Sequence, residues 1–118
     1  MPYNELMHTV VEVKEYLAAA ARAGMTEAER MAAVDLIAAN PEAGDIVRGG
    51  GGVRKLRVAG RGKGKSGGYR VITYYWSPDR PVFLLTALNK GKQANFTDAQ
   101  VAALRAAARI IREGQGDG

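Results

Sequence analysis

The chain opens with a short run of β-branched residues that gives way to a helical pattern. Residues 6–13, LMHTVVEV, have the composition of a strand. Residues 14–23, KEYLAAAARA, predict a helix, and Gly24 is the residue type that most readily ends one. We therefore expect one strand followed by one helix in this part of the chain.

A second helix is predicted directly after the first. Thr26 and Glu29 have the spacing of a capping box, in which each side chain bonds the backbone amide of the other residue. An apolar stripe then continues to the Asn40-Pro41 pair, where proline stops the helix. Residues 41–52 end in four glycines and predict a turn-rich connection.

Beyond Gly52 the pattern becomes that of a sheet. Three segments are typical of strands: 53–58 (VRKLRV), 69–76 (YRVITYYW) and the continuous apolar run 82–88 (VFLLTAL). Residues 77–80 (SPDR) form a turn with proline at its second position, so the last two strands are expected to pair as an antiparallel hairpin.

The final segment predicts a third helix. Thr97 and Gln100 form another capping-box pattern, and apolar residues recur at helical spacing as far as Gly114. The element order β-α-α-β-β-β-α predicts a small single-domain α+β fold with a mainly antiparallel sheet packed by helices. We assign residues 1–113 to this domain and expect residues 114–118 (GQGDG) to form a disordered tail.

Composition narrows the class of protein. A length of 118 residues suits one domain, and the lack of cysteine excludes disulfides and thiolate metal sites. The first seventeen residues contain no apolar segment long enough for a signal peptide or a membrane span. We therefore expect a cytoplasmic protein with no membrane partner.

The net charge of +5 is concentrated in one segment. Residues 53–70 contain seven cations and no carboxylate: Arg54, Lys55, Arg57, Arg61, Lys63, Lys65 and Arg70. Surfaces that serve only solubility mix acids with bases. The segment therefore indicates a polyanionic partner.

Residues 59–66, AGRGKGKS, match a relaxed phosphate-loop pattern. That loop requires a helix to begin at its serine, so that the backbone amides hold phosphate, whereas Gly67-Gly68 leads here into a strand. We interpret the segment as a cationic connection between two strands that can follow a nucleic-acid backbone.

The chain lacks the parts of most hydrolytic sites. His8 is its one histidine, and between Ile46 and Lys92 the only acid is Asp79. A zinc site, a Ser-His-Asp nucleophile and a two-metal nuclease are therefore excluded, and no metal or other cofactor is expected. Cleavage of RNA is a reaction that the remaining lysines and arginines could catalyse. The 2′-hydroxyl of RNA is an internal nucleophile, which cations can activate while they also stabilise the phosphorane.

Three motifs occur in order: Asn40-Pro-Glu-Ala-Gly-Asp45, Gly52-Val-Arg-Lys-Leu-Arg57 and Gly62-Lys-Gly-Lys-Ser-Gly-Gly-Tyr-Arg70. With the later segment VFLLTALNKGKQANFT, they closely resemble the HigB-like branch of RelE-type toxins. The resemblance extends from Gly24 to the final helix. It implies a compact α+β domain, ribosome-dependent cleavage of mRNA at the A site, and a cognate helix-turn-helix antitoxin as partner.

The resemblance also implies site residues, because the family lines its RNA-cutting groove with cations of neighbouring strands. Carried over by position, the catalytic residues are Lys55, Arg57, Arg70 and Lys90. Lys55 or Arg57 would activate the 2′-hydroxyl, and Arg70 with Lys90 would stabilise the phosphate. The resemblance and the charge pattern together give as RNA-binding residues Arg54, Arg61, Lys63, Lys65, Tyr69 and Lys92.

The chain departs from the family pattern after its last strand. Lys90 is followed by Gly91 instead of Asn-Glu, Asn95 replaces an acidic residue, and Phe96-Thr97 stands where RelE has a tyrosine. Two other functions stay open: a ParE-like toxin that poisons DNA gyrase, and a non-catalytic basic module that binds ribosomal RNA. The basic second and third strands favour the ribonuclease.

Overall fold

The computed structural model describes residues 8–60 and 68–117. This part of the chain contains five strands: β1 (Val10–Glu12), β2 (Asp45–Ile46), β3 (Val53–Val58), β4 (Tyr69–Tyr74) and β5 (Val82–Asn89). It also contains three helices: α1 (Lys14–Ala23), α2 (Glu27–Ala39) and α3 (Asp98–Asp117). The strands form one sheet in the order β1-β5-β4-β3-β2.

The sheet is antiparallel from β2 to β5, and β1 joins it parallel to β5. The predicted α+β class with a mainly antiparallel sheet is therefore confirmed. The predicted turn at residues 77–80 is present, since the Arg80 amide donates to the Ser77 carbonyl at 3.0 Å. It joins β4 to β5 as the expected hairpin.

The helix boundaries follow from the local signals. Gly24 ends α1 in the left-handed conformation, with φ of 87°. Thr26 Oγ1 accepts from the Glu29 amide at 3.1 Å, and the Glu29 carboxylate accepts from the Thr26 amide at 2.8 Å. Thr97 and Gln100 make the same pair of bonds before α3, at 3.1 and 2.8 Å. Both predicted capping boxes are confirmed.

Besides shifts of the strand ends, the structure differs from the prediction at two places. β2 lies inside the segment that was expected to contain only turns. The sequence did not predict it, because a strand of two residues is too short to show a period and forms by pairing with β3. α3 continues through Asp117, whereas the sequence predicted that the helix would end at Gly114 and that residues 114–118 would be disordered. A glycine costs a helix only about 1 kcal/mol relative to alanine, so Gly114 does not by itself end α3.

The core consists of two apolar clusters on opposite faces of the sheet. Between the sheet and the α1–α2 pair, the buried residues include Tyr16, Ala20, Ile37, Tyr69, Val71 and Leu84. Between the sheet and α3, they include Val53, Ile72, Tyr74, Phe83, Leu104 and Ala108. Successive residues of a strand point to opposite faces, so the sheet has an α1–α2 face and an α3 face.

Candidate functional site

Strand register brings three predicted catalytic cations to one face of the sheet. Val53 packs against α3, so Lys55 and Arg57, two and four residues further along β3, also belong to the α3 face. Arg57 lies directly opposite Arg70 of β4. Side chains of directly opposite residues project from the same side of a sheet, so Arg70 shares this face.

Lys90 follows the last residue of β5 beside the same end of β4. Its amide donates to the Gly68 carbonyl at 3.1 Å. The preceding residue, Asn89, is directed to the α1–α2 face, where its Nδ2 donates to the Ala23 carbonyl at 2.9 Å. Lys90 begins the turn after β5, at the edge of the sheet where Arg57 and Arg70 pair. We call Lys55, Arg57, Arg70 and Lys90 together the cationic face.

The electrostatics of the cationic face favour an anionic ligand. Arg57 and Arg70 are like charges in directly opposite positions, an arrangement that destabilises a sheet in the absence of a counter-charge. Arg70 Nε is buried and has no hydrogen-bond partner among the described residues. A buried donor without a partner costs about 1–3 kcal/mol, which an oxygen acceptor such as phosphate would remove.

The side chain of Lys55 is held by the connection between β5 and α3. Lys55 Nζ donates to Asn95 Oδ1 at 3.4 Å. Gln93 Nε2 in turn donates to the Asn95 carbonyl at 2.6 Å and to Gln100 Oε1 at 2.8 Å. This network links Lys55 to the N-terminus of α3. Asn95, which the sequence marked only as a departure from the family pattern, is thus part of the site.

Tyr69 does not belong to the cationic face, and the prediction that it contacts RNA is wrong. Its side chain is 1% exposed within the core on the α1–α2 face. Its hydroxyl oxygen lies 2.9 Å from Glu29 Oε1 and 3.2 Å from the Gly24 carbonyl oxygen. The residue before Arg70 must point to the other face of the sheet, so it cannot stack on a base bound beside Arg70.

The other predicted RNA contacts are dispersed. Arg54 alternates with Lys55 and so shares the α1–α2 face with Leu56, away from the cationic face. Lys92 is exposed in the connection after β5, two residues from Lys90. Arg61, Lys63 and Lys65 lie outside the described residues.

Two arginines of α3 bond to the rest of the domain, one to β4 and one to the connection between β2 and β3. Arg112 Nη1 donates to the Tyr74 hydroxyl at 2.8 Å, and Arg105 Nη1 donates to the Gly49 carbonyl at 3.3 Å. A third arginine of α3, Arg109, is exposed and pairs with Glu113 at 3.6 Å. Arg105 and Arg112 therefore have structural partners.

Sequence reasoning also missed Asp45. This residue of β2 lies directly opposite Lys55 in the sheet register. The Gly-Asp pair at positions 44 and 45 was part of a recognised motif, but the pairing of β2 with β3 was not predicted. Asp45 supplies a carboxylate beside the cationic face.

No cluster of three or more metal-ligating side chains occurs within residues 8–60 and 68–117. None of the helices described in the structure has the length and apolar character needed to cross a membrane.

Several solved structures match the fold of this chain. The free state of a double arginine-to-alanine mutant of the E. coli toxin RelE matches with a TM-score of 0.55 at 15% sequence identity. The match covers 88% of this chain and 98% of that chain, so the similarity extends over almost the whole of both folds. At this identity, the likeness establishes the fold.

The family itself is established by sequence. The family described as the RelE toxin of the RelE/RelB toxin-antitoxin system matches residues 7–116. That match includes all five described strands, α1, α2, α3 as far as residue 116, and every residue of the cationic face. The chain therefore belongs to the RelE toxin family, whose members are the toxin halves of two-protein toxin-antitoxin systems.

Proposed function

We propose that this protein is an endoribonuclease that cleaves mRNA on the ribosome, without a metal or other cofactor, and so inhibits translation. The observation that carries the proposal is the position of Arg57 directly opposite Arg70, on the face that also holds Lys55. Membership in a toxin family agrees with an activity that stops growth. The ribosome and mRNA would be its targets in the cytoplasm, and a helix-turn-helix antitoxin its partner.

The reaction uses the nucleophile that RNA supplies. The 2′-oxygen forms a bond to the adjacent phosphorus, and the bond between phosphorus and the 5′-oxygen breaks. One fragment ends in a 2′,3′-cyclic phosphate, and the other gains a proton on its 5′-oxygen to replace the proton lost from the 2′-hydroxyl. The phosphorane carries an additional negative charge, which preorganised cations stabilise more than they stabilise the ground state.

The residues divide this work by chemistry. We assign Arg70 and Lys90 to the phosphate, since a guanidinium can bind two phosphate oxygens at once and Arg70 Nε lacks a partner among the described residues. Lys55 or Arg57 activates the 2′-hydroxyl. DNA lacks this hydroxyl and would not be cut.

Replacing Arg70 tests the assignment. Purified protein is incubated with ribosomes translating a defined mRNA, and cleavage is followed in single turnovers. We expect Arg70→Ala to lower the rate by about 10²-fold, the usual loss when one preorganised donor to the transition state is removed. Arg80→Ala is the matched control, because Arg80 lies in the β4–β5 turn at the opposite end of the hairpin.

Two outcomes would contradict this proposal and would each support a different function. Gyrase-dependent breaks in plasmid DNA with intact mRNA would identify a gyrase poison. Salt-sensitive binding to ribosomal RNA, with no cleavage product at any protein concentration, would identify a non-catalytic RNA-binding module.

The partner is tested separately. We expect the product of the adjacent gene to co-purify with this chain and to restore growth when both are expressed. Failure of both measurements would contradict the assigned antitoxin partner.

A further inference from the structure

The connection between β5 and α3, residues 90–97, is anchored in the fold at both of its ends. At the β5 end, the Asn89 carbonyl accepts from the amides of Lys92 at 2.9 Å and Gln93 at 3.0 Å. Asn89 Nδ2 donates to the Ala23 carbonyl at 2.9 Å and so ties this end to α1. The path of the chain beyond β5 is therefore fixed by contacts with the rest of the domain.

At the other end, the side chain of Gln93 links the connection to the start of α3. Gln100 Oε1 accepts from the Thr97 amide at 2.8 Å and from Gln93 Nε2 at 2.8 Å. Gln93 Nε2 also donates to the Asn95 carbonyl at 2.6 Å. The capping side chain of α3 and Gln93 together hold the backbone of Asn95 beside the N-terminus of the helix.

The side chain of Asn95 is directed to Lys55. Asn95 Oδ1 accepts from Lys55 Nζ at 3.4 Å, and this is the hydrogen bond that the Lys55 side chain makes within residues 8–60 and 68–117. A lysine side chain is long and flexible, and it loses more rotamer freedom than most side chains when it is fixed. A partner that is itself held in place therefore restricts where the Lys55 ammonium can lie.

The chemical type of this partner suits the cationic face. An amide oxygen accepts a hydrogen bond but carries no net charge, whereas a carboxylate also brings a negative charge. Lys55 shares its face with Arg57 and Arg70, which are directly opposite each other in the β3–β4 pair. Asn95 thus holds Lys55 without reducing the positive charge that a phosphate would meet.

We infer that Asn95 is a positioning residue whose amide oxygen holds the Lys55 ammonium at the cationic face, with Gln93 and Gln100 holding Asn95 in turn. This inference rests on the proposed ribonuclease function and adds to it the residues that orient one of its cations. A cation that is already in place stabilises charge in the transition state without a further cost of ordering during the reaction.

The test compares Asn95→Ala with Asn40→Ala. Both variants lose one exposed asparagine side chain, but Asn40 follows α2 and bonds through its backbone. Single-turnover cleavage of mRNA is measured with saturating ribosomes. We expect Asn95→Ala to react about two- to tenfold more slowly, the effect of losing one ordinary hydrogen bond, and Asn40→Ala to be unchanged. Gln93→Ala should have a smaller effect in the same direction, because the Asn95 side chain remains.

A double-mutant cycle shows whether Asn95 acts through Lys55. In the Lys55→Ala background there is no ammonium to hold, so Asn95→Ala should cause no further loss of rate. An equal loss in both backgrounds would overturn the inference, since Asn95 would then act on RNA or on the fold without Lys55. An Asn95→Ala variant as fast as Asn40→Ala would overturn it as well.

Asn95→Asp separates positioning from charge. The carboxylate keeps an oxygen acceptor for Lys55 but lowers the positive charge of the surface. We expect a cleavage rate at saturation close to that of the unmodified protein, together with weaker binding that salt makes less apparent. If Asn95→Asp were as slow at saturation as Asn95→Ala, the oxygen acceptor would not be the property that matters, and the inference would be wrong.

A second measurement does not depend on activity. The protein is labelled with ¹³C at the lysine ε-carbons, the Lys55 signal is assigned by its loss in Lys55→Arg, and the mobility of this carbon is measured by NMR relaxation. We expect Lys55 to be more mobile in Asn95→Ala than in Asn40→Ala, with Lys14 unchanged. If the unmodified protein cleaves no RNA, the proposed function fails. If Lys55 is equally mobile in both variants, the inference fails whatever the activity.

Discussion

Tyr69 and Arg70 are adjacent in sequence and opposite in environment. Tyr69 points into the core and lies 2.9 Å from the buried carboxylate of Glu29, whereas Arg70 points toward α3 beside Arg57. The aromatic residue therefore contributes to stability, whereas Arg70 Nε has no hydrogen-bond partner among the described residues. Adjacent residues of β4 thus belong to the core on one side of the sheet and to the cationic face on the other.

The buried hydroxyl of Tyr16 gives the protein a pH dependence at the alkaline end. Burial, with a smaller contribution from Glu12, raises the pKa of Tyr16 from 10.0 to about 12. The neutral phenol is favoured in the folded state, so this contribution to stability is complete below pH 10 and is lost as pH rises toward 12. As pH rises from 10 to 12, we expect the free energy of unfolding to fall less steeply in Tyr16→Phe than in the unmodified protein.

Urea unfolding of both proteins at several pH values measures the difference. All other side chains are the same in both proteins, so the difference between them isolates the contribution of Tyr16. Parallel stability curves between pH 10 and pH 12 would contradict the assignment of this pH dependence to Tyr16.

At the scale of elements, the shortest strand determines the surroundings of Lys55. β2 has two residues, yet it brings Asp45 opposite Lys55. Its position depends on Gly44, whose backbone conformation and lack of a side chain allow the close contact with β3. The motif at positions 40–45 therefore has a structural function that its composition did not reveal.

Gly44→Ala and Gly24→Ala form a matched pair. Both glycines have positive φ, +97° and +87°, but an added Cβ at Gly24 meets no atom within 4 Å, whereas at Gly44 it meets the Lys55 carbonyl. We expect Gly24→Ala to cost about 1 kcal/mol of unfolding free energy from backbone strain alone. Gly44→Ala should cost more, about 2–3 kcal/mol, because the contact with β3 adds to the strain.

Chemical denaturation of the two variants provides the measurement. Equal losses of stability would mean that β2 can move away from β3 at little cost. In that case, Asp45 would not be held opposite Lys55.

At the scale of the whole molecule, the apolar core clusters and the cationic face occupy different parts of the sheet. The α1–α2 face of the sheet is closed by helices over its buried cluster, and α3 covers the end of the other face nearest Val53 and Tyr74. The pairs at the other end of β3 and β4 include Arg57 with Arg70, and Arg57 is exposed. The cationic face is thus the part of the α3 face beyond the second core cluster.

This arrangement predicts a salt dependence of RNA binding. Each cation that neutralises a phosphate of single-stranded RNA contributes about 0.7 to the slope of log K against log salt concentration. We expect Arg57→Ala and Arg70→Ala each to reduce the slope by about that amount. Arg80→Ala, at the opposite end of the β4–β5 hairpin, should leave it unchanged.

Binding of a fluorescent RNA oligonucleotide over a range of salt concentrations gives the slopes. Equal reductions in all three variants would indicate a diffuse effect of net charge. That result would argue against a phosphate-binding site at Arg57 and Arg70.

The sequence by itself determined the helices, the hairpin and the concentration of positive charge. Caps and turns depend on residues only a few positions apart, as in the bonds between Thr26 and Glu29. These signals were sufficient for the α+β class and for the segment that carries most of the predicted cations.

Only the tertiary structure decided which side chains meet. Lys55 and Asn95 are forty positions apart in sequence, and so are Tyr69 and Glu29. The two-residue strand that aligns Asp45 with Lys55 has too few residues to produce a pattern. Strand register assigns each residue to a face, and register depends on distant strands that must bury their apolar sides together. Alternation along a strand predicts that Arg70 and Tyr69, or Lys55 and Arg54, point to opposite faces, but local signals could not decide which residue of each pair points to the α1–α2 face.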